Sequence, residues 1–235
     1  MLRAILFDFN GVLVDDEPIH FQLVARVLAE EGLALDTVDY LAEFVGLPDR
    51  DCFAAAMRRA GGEPDPTRIV RLVARQASYY QQVMRRQGFP FFPGAVELVR
   101  SASGSGLMLG VVSGALGEEV EGALAQAGLR DAFKCVVAAE DVARGKPAPD
   151  AYLRALDEIN SRPPLPQRLV HPHEVLAIED TPRGLEAAVA AGLVTLGIAQ
   201  TFSREALETA DFVAEGLGGL SFDDLQRLYA EVSRR

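Results

Sequence analysis

Five short stretches of the chain are apolar at nearly every position: RAILFD (3–8), LMLGVVS (107–113), CVVAA (135–139), EVLAIED (174–180) and LVTLGIA (193–199). Continuous rather than alternating apolarity predicts strands of a parallel sheet covered on both faces. Helical patterns lie between them. Leu116, Val120, Ala123, Leu124 and Ala127 share one helical face, with Gly128 as the stop. TPRGLEAAVAAGL begins with Thr181 as N-cap and Pro182 at the first helical position, and Gly192 ends it. Strand and helix in alternation predict an α/β fold built on a doubly wound parallel sheet.

Residues 15–88 follow a different pattern. No strand-like run occurs there, and Phe21, Val24, Ala25 and Leu28 keep helical spacing. VDYLAEFVG, RDCFAAAMRRAGG and TRIVRLVARQASYYQQVMRRQG continue in that manner, punctuated at Gly46-Leu47-Pro48 and Gly61-Gly62-Glu63-Pro64. GFPFFPG (88–94) leads back into the sheet. The expected organisation is therefore an α/β core of residues 1–14 and 89–235, with a helical domain, 15–88, inserted after the first strand. The Pro-rich stretch 160–173 is expected to be a surface connection.

Charge narrows the partners. Lys and Arg number 23 against 34 Asp and Glu, a net charge of −11, which argues against nucleic acid and anionic membranes. An anionic substrate would need a local positive device: a lysine, a metal or helix N-termini. The longest uncharged apolar stretch, Ala187–Ala199, is too short to span a bilayer, and Asp8 interrupts the only segment resembling a signal peptide. Cys52 and Cys135 form no disulfide or zinc pattern and are expected to be buried free thiols of a cytoplasmic protein.

Ligands of open α/β sheets bind at the carboxyl ends of the strands. The first predicted strand ends in Asp8, the second in Ser113-Gly114 and the fourth in Glu179-Asp180, while Gly145-Lys146-Pro147 follows the third. If these strands are neighbours, the carboxylates of Asp8 and Asp180 suit a hard divalent cation such as Mg²⁺. Ser113, the amide of Gly114 and Lys146 could cradle phosphoryl oxygens. The histidines of HPHE (171–174) lack further ligands and are expected to lie at the surface.

FDFNGVLVD, VVSG, GKPAPD and IEDTPRG, in that order and spacing, resemble the four motifs of the haloacid dehalogenase-like superfamily. The subgroup most similar is that of helical-cap phosphatases and β-phosphoglucomutase, and the resemblance covers essentially the whole chain. It implies that Asp8 is a nucleophile forming an aspartyl phosphate, with Ser113 binding the phosphoryl group and Lys146 neutralising its charge. It also implies Mg²⁺ held by Asp8, Asp180 and the backbone carbonyl of Asn10, with Glu179 beside the metal. The inserted helices correspond to a cap that selects the substrate, a small phosphorylated metabolite. There FVGLPDRD, with Gly46 and Arg50, resembles the specificity loop, and His20 is a further candidate contact.

Asn10 departs from the motif. Phosphatases and mutases of this kind carry an aspartate there as general acid and base, and an amide can be neither. The leading expectation is a Mg²⁺-dependent phosphatase attenuated by Asn10, a monomer or weak dimer. The alternatives are a sugar-phosphate mutase and a catalytically silent protein that binds phosphorylated metabolites.

Overall fold

The computed structural model describes residues 1–232, which form two compact units. Met1–Asp15 and the chain from Pro90 on make the first, and Asp16–Phe89 the second. No helix among the described residues is long and apolar enough to cross a membrane.

The first unit is built on a parallel sheet of β1 (Ala4–Phe7), β2 (Met108–Val112), β3 (Phe133–Val137), β4 (Val175–Glu179), β5 (Val194–Ile198) and β6 (Phe212–Ala214). Their order is β3-β2-β1-β4-β5-β6. The chain thus winds outward from β1 on one side, then returns to β1 and winds outward on the other. The centre of such a sheet is a topological switch point, where ligands bind. Phe7 pairs with Val111 in β2 and with Ile178 in β4, so Asp8, Ser113 and Asp180 leave the sheet at one edge.

All four β1 residues are fully buried, as expected of a strand covered on both faces. Beyond the sheet run α5 (Ala95–Gly104), α6 (Gly117–Ala127), α7 (Asp150–Ser161), α8 (Pro182–Ala190) and α9 (Phe222–Val232). Tyr152, Ala155 and Ile159 of α7 and Ala187 and Ala188 of α8 pack on the sheet face carrying Ala4, Leu6 and Ala177. Thr181 caps α8 by accepting from the Gly184 amide at 3.0 Å, and Gly128 ends α6 with φ of 62°.

Three expectations shift. The third strand begins at Phe133, because edge strand β3 alternates buried and half-buried residues and hides from a search for continuous apolarity. The short β6 has the same cause: all three of its residues are only half buried. Leu116 sits before the first turn of α6 and is exposed, so the buried face there is Val120, Ala123 and Leu124.

The second unit contains α1 (Glu17–Glu30), α2 (Thr37–Glu43), α3 (Asp49–Arg59) and α4 (Pro66–Gln87). Asp36 caps α2 through the Asp39 amide, and Asp65 caps α4 through that of Thr67. The buried stripe of α1 is Leu23, Val24, Val27 and Leu28, rotated from the expected one, and Phe21 and Ala25 are half buried at its margin. Val24, Val27, Tyr40, Phe44, Phe53, Met57, Ile69 and Leu72 form the main core of this unit.

Beside that core lies a polar cluster in which Asp16, Gln76 and Tyr80 are buried and His20 and Asp49 half-buried. His20 places Nε2 3.4 Å from Asp16 and Nδ1 3.9 Å from Asp49, with the Gln76 amide 3.1 Å from Nδ1. The Tyr80 hydroxyl donates to Asp16 at 2.5 Å, and its ring lies 4.9 Å from the imidazole. Burial disfavours the charged imidazole, but Asp16, Asp49 and Glu17 outweigh it and push His20 up to about 10. Burial, the largest influence on each, raises Glu17 and Asp49.

A histidine whose folded pKa lies above its unfolded one stabilises fully below the unfolded value, and the gain disappears as pH rises through the folded value. The helical unit should therefore lose roughly 2–4 kcal/mol between pH 7 and 10 from His20 alone. Urea unfolding at both pH values checks this, comparing the wild type with His20→Gln, which should have the flatter profile. Equal losses in the two proteins would remove His20 from the account.

Candidate active site

Asp8 follows β1 directly and is buried, as are Ser113 after β2 and the pair Glu179-Asp180 at the end of β4. The switch point of the sheet thus gathers residues more than a hundred positions apart. Lys146 reaches in from the loop before α7. Its Nζ donates to Asp8 Oδ1 at 2.7 Å and to the Val112 carbonyl at 3.2 Å, and lies 2.5 Å from Glu179 Oε1. With three acceptors, the ammonium is fully engaged. Burial opposes its charge, yet Asp8 and Glu179 outweigh that and raise its pKa.

One ammonium does not balance three carboxylates. Burial, then the charge of Asp8, raises Glu179 to about 7. Asp180 is raised well above the ordinary carboxylate range by burial, then by Asp8 and Glu179. Oxygens of Asp8, Glu179 and Asp180 lie within 4.8 Å of one another. Asp180 Oδ1 and Glu179 Oε2 are buried without a hydrogen-bond partner among the described residues. Crowded carboxylates with unsatisfied oxygens fit a hard divalent cation, which would supply both the missing charge and the missing partner.

Residue 10 lies on the turn after β1. The Ser113 hydroxyl faces the Asn10 side-chain oxygen Oδ1 at 3.5 Å and accepts from the Ala115 amide at 2.9 Å. Gly11 follows with φ of 76°. A Cβ there would lie 1.8 Å from Asp180 Oδ2, so only glycine lets the turn approach that carboxylate. Gln200 fixes the turn by donating to the Gly11 carbonyl at 2.9 Å, and Thr201 hydrogen-bonds Asp180. Gly114 is exposed beside Ser113.

Further residues belong to this constellation and escaped the reading of the sequence. The Tyr152 hydroxyl donates to Glu179 Oε1 at 2.5 Å, and a Cβ at Gly184 would lie 2.0 Å from Glu179 Oε2. Gly184 stands inside IEDTPRG, and Tyr152 stands six positions after Lys146. Nothing in either stretch says that it faces a carboxylate rather than the apolar core.

The remaining candidates lie in the helical unit. His20 is held by Asp16, Asp49 and Gln76. Gly46 is exposed with φ of 73°, and Arg50 is exposed in the first turn of α3, without an ion-pair partner among the described residues. His171 and His173 are exposed and stacked on one another, 5.7 Å apart. Both cysteines are buried free thiols.

The sequence profile of the haloacid dehalogenase-like hydrolases matches residues 5–198. The validoxylamine A 7'-phosphate phosphatase of Streptomyces hygroscopicus subsp. limoneus is 29% identical over 92% of this chain and 95% of its own. β-Phosphoglucomutase from Clostridium difficile superposes with a TM-score of 0.85 over all of both chains, at 21% identity. An aspartate-to-asparagine mutant of CbbY from Rhodobacter sphaeroides, in complex with xylulose-(1,5)bisphosphate, superposes with a TM-score of 0.82 at 27% identity, covering 96% of this chain and 99% of its own. With its switch-point carboxylates, its lysine and this match, the chain belongs to the haloacid dehalogenase-like hydrolases.

Proposed function

We propose that the chain is a Mg²⁺-dependent phosphatase of small phosphorylated metabolites that works through phosphorylated Asp8 and is slowed by Asn10. The observation that carries this reading is the 2.7 Å contact between Lys146 Nζ and Asp8 Oδ1 beside two further buried carboxylates. The contact aligns Asp8 and leaves its other oxygen for attack on phosphorus. The phosphatase among the relatives supports the choice of substrate class.

Each residue then has a task. Asp8 Oδ2 forms a bond to phosphorus as the ester P–O bond breaks, and the departing oxygen takes a proton from solvent. Lys146 and the Ser113 hydroxyl bear on the phosphoryl oxygens, where negative charge is held during transfer. Asp8, Asp180 and the Asn10 backbone carbonyl, with Glu179 beside them, would hold Mg²⁺, which would supply further positive charge. Water then attacks the phosphorylated Asp8, releasing phosphate and restoring the carboxylate. Asn10 can neither protonate the leaving oxygen nor take a proton from that water. The relative crystallised with a bisphosphate also carries asparagine in place of an aspartate.

Asp8→Ala should abolish phosphate release from a panel of sugar phosphates, and EDTA should do the same to the unaltered protein, with Mg²⁺ restoring it. Turnover that survives either treatment would exclude the aspartyl-phosphate route.

Asn10→Asp should raise kcat by roughly 10²–10⁴ with little change in KM, the usual contribution of general acid–base help. Alkyl phosphates should gain most, because a nitrophenolate leaves without protonation. Comparing kcat for both proteins on one alkyl and one nitrophenyl ester checks this. An unchanged alkyl rate would favour a protein that binds phosphorylated metabolites without hydrolysing them.

Choice of substrate we assign to the helical unit, because Arg50 offers there an exposed guanidinium, without an ion-pair partner among the described residues, suited to an anionic group. Arg50→Ala should reorder the substrate panel mainly through KM, leaving Mg²⁺ dependence intact. An unchanged ranking would make Arg50 a plain surface charge.

A further inference from the structure

Glu179 Oε1 has two lone pairs and two donors, Lys146 Nζ at 2.5 Å and the Tyr152 hydroxyl at 2.5 Å. The other oxygen, Oε2, is hemmed in by the backbone of Gly184, where a Cβ would lie 2.0 Å away. Oε2 is thus closely packed on that side, and the charge of the carboxylate is divided between a cation and a phenol. Tyr152 is fully buried in the first turn of α7, and its ring also lies below the ammonium, with Lys146 Nζ 5.5 Å from the centroid. That distance is within the range in which a cation is attracted to an aromatic face. Tyr152 thus touches both members of the pair that faces Asp8, while touching none of the atoms that would react.

We propose that Tyr152 is a positioning residue. Its hydroxyl holds Glu179 Oε1 and its ring supports Lys146, so that the carboxylate, and the ammonium it binds at 2.5 Å, stay aimed at Asp8. Without the hydroxyl, Oε1 loses one of its two donors in a buried site, and Lys146, already in contact with it, is left to hold it. A carboxylate that shifts carries Nζ with it and weakens the 2.7 Å contact with Asp8. The effect would fall on alignment of the nucleophile and on charge at the phosphoryl group, and not on binding of the rest of the substrate.

This inference rests on the phosphatase reading, so the test uses Asn10→Asp as the parent, together with the unaltered chain. If neither parent hydrolyses any ester of the panel, the phosphatase reading itself fails. In an active parent, Tyr152→Phe keeps the ring and removes one oxygen. It should lower kcat about tenfold, the worth of one buried hydrogen bond, with KM changed less than twofold and the melting midpoint lowered by only about 2–4 °C. A second readout avoids turnover: beryllium fluoride with Mg²⁺, a mimic of phosphorylated Asp8, should bind the Phe variant about tenfold more weakly in a thermal-shift titration. Unchanged kcat and unchanged fluoride affinity in an active parent would overturn the positioning role. So would a kcat that falls only in proportion to the folded fraction.

Discussion

Three carboxylates stand within 4.8 Å of one another at the end of a buried sheet, and one ammonium stands among them. Isolated charge in such a place would be neutralised or expelled. Much of the surrounding architecture can be read as the means by which it is tolerated. Lys146 spends all three of its hydrogens there, Tyr152 gives its hydroxyl to Glu179, and Thr201 attends Asp180. Gly11 and Gly184 let backbone come closer than any side chain would allow. The residual negative charge fits a hard divalent cation.

Asn10 separates two properties that usually occur together. The turn that carries it is intact: Gly11 keeps its positive φ, Gln200 holds the Gly11 carbonyl, and Ser113 still faces residue 10. An amide neither ionises nor takes up a proton in the ordinary pH range, a chemical difference from a carboxyl group with almost no structural trace. The geometry of the site and its capacity for proton transfer are thus set by different atoms of the same turn.

The parallel fold was legible because β1, β2, β4 and β5 are buried along nearly all their length, which leaves an unbroken apolar run. Edge strands β3 and β6 leave a weaker mark, since half-buried positions admit residues such as Lys134. Asp8, Ser113, Lys146 and Asp180 could be picked out because each polar residue follows a predicted strand. That the strands carrying Asp8, Ser113 and Asp180 are neighbours is a matter of topology, visible only in the order of the sheet. Tyr152 could not be found in this way. It lies on the apolar face of α7 among Ala151, Ala155 and Ile159, and only its hydroxyl sets it apart from the core. His20 illustrates the opposite difficulty: its partners Asp49 and Gln76 come from other helices, so spacing along α1 says nothing of its charge.

The point at which the chain leaves the sheet is tied to the point at which it returns. Val14 bridges Phe91, the Asp15 amide donates to the Pro90 carbonyl at 2.7 Å, and the Phe92 amide donates to the Leu13 carbonyl at 2.9 Å. For the sheet, everything between these pairs is a single loop with a stitched base. The entropy of closing such a loop grows only with the logarithm of its length, about 0.6 kcal/mol for each doubling. Asp16–Phe89 is therefore a cassette whose length can change at small cost to the sheet.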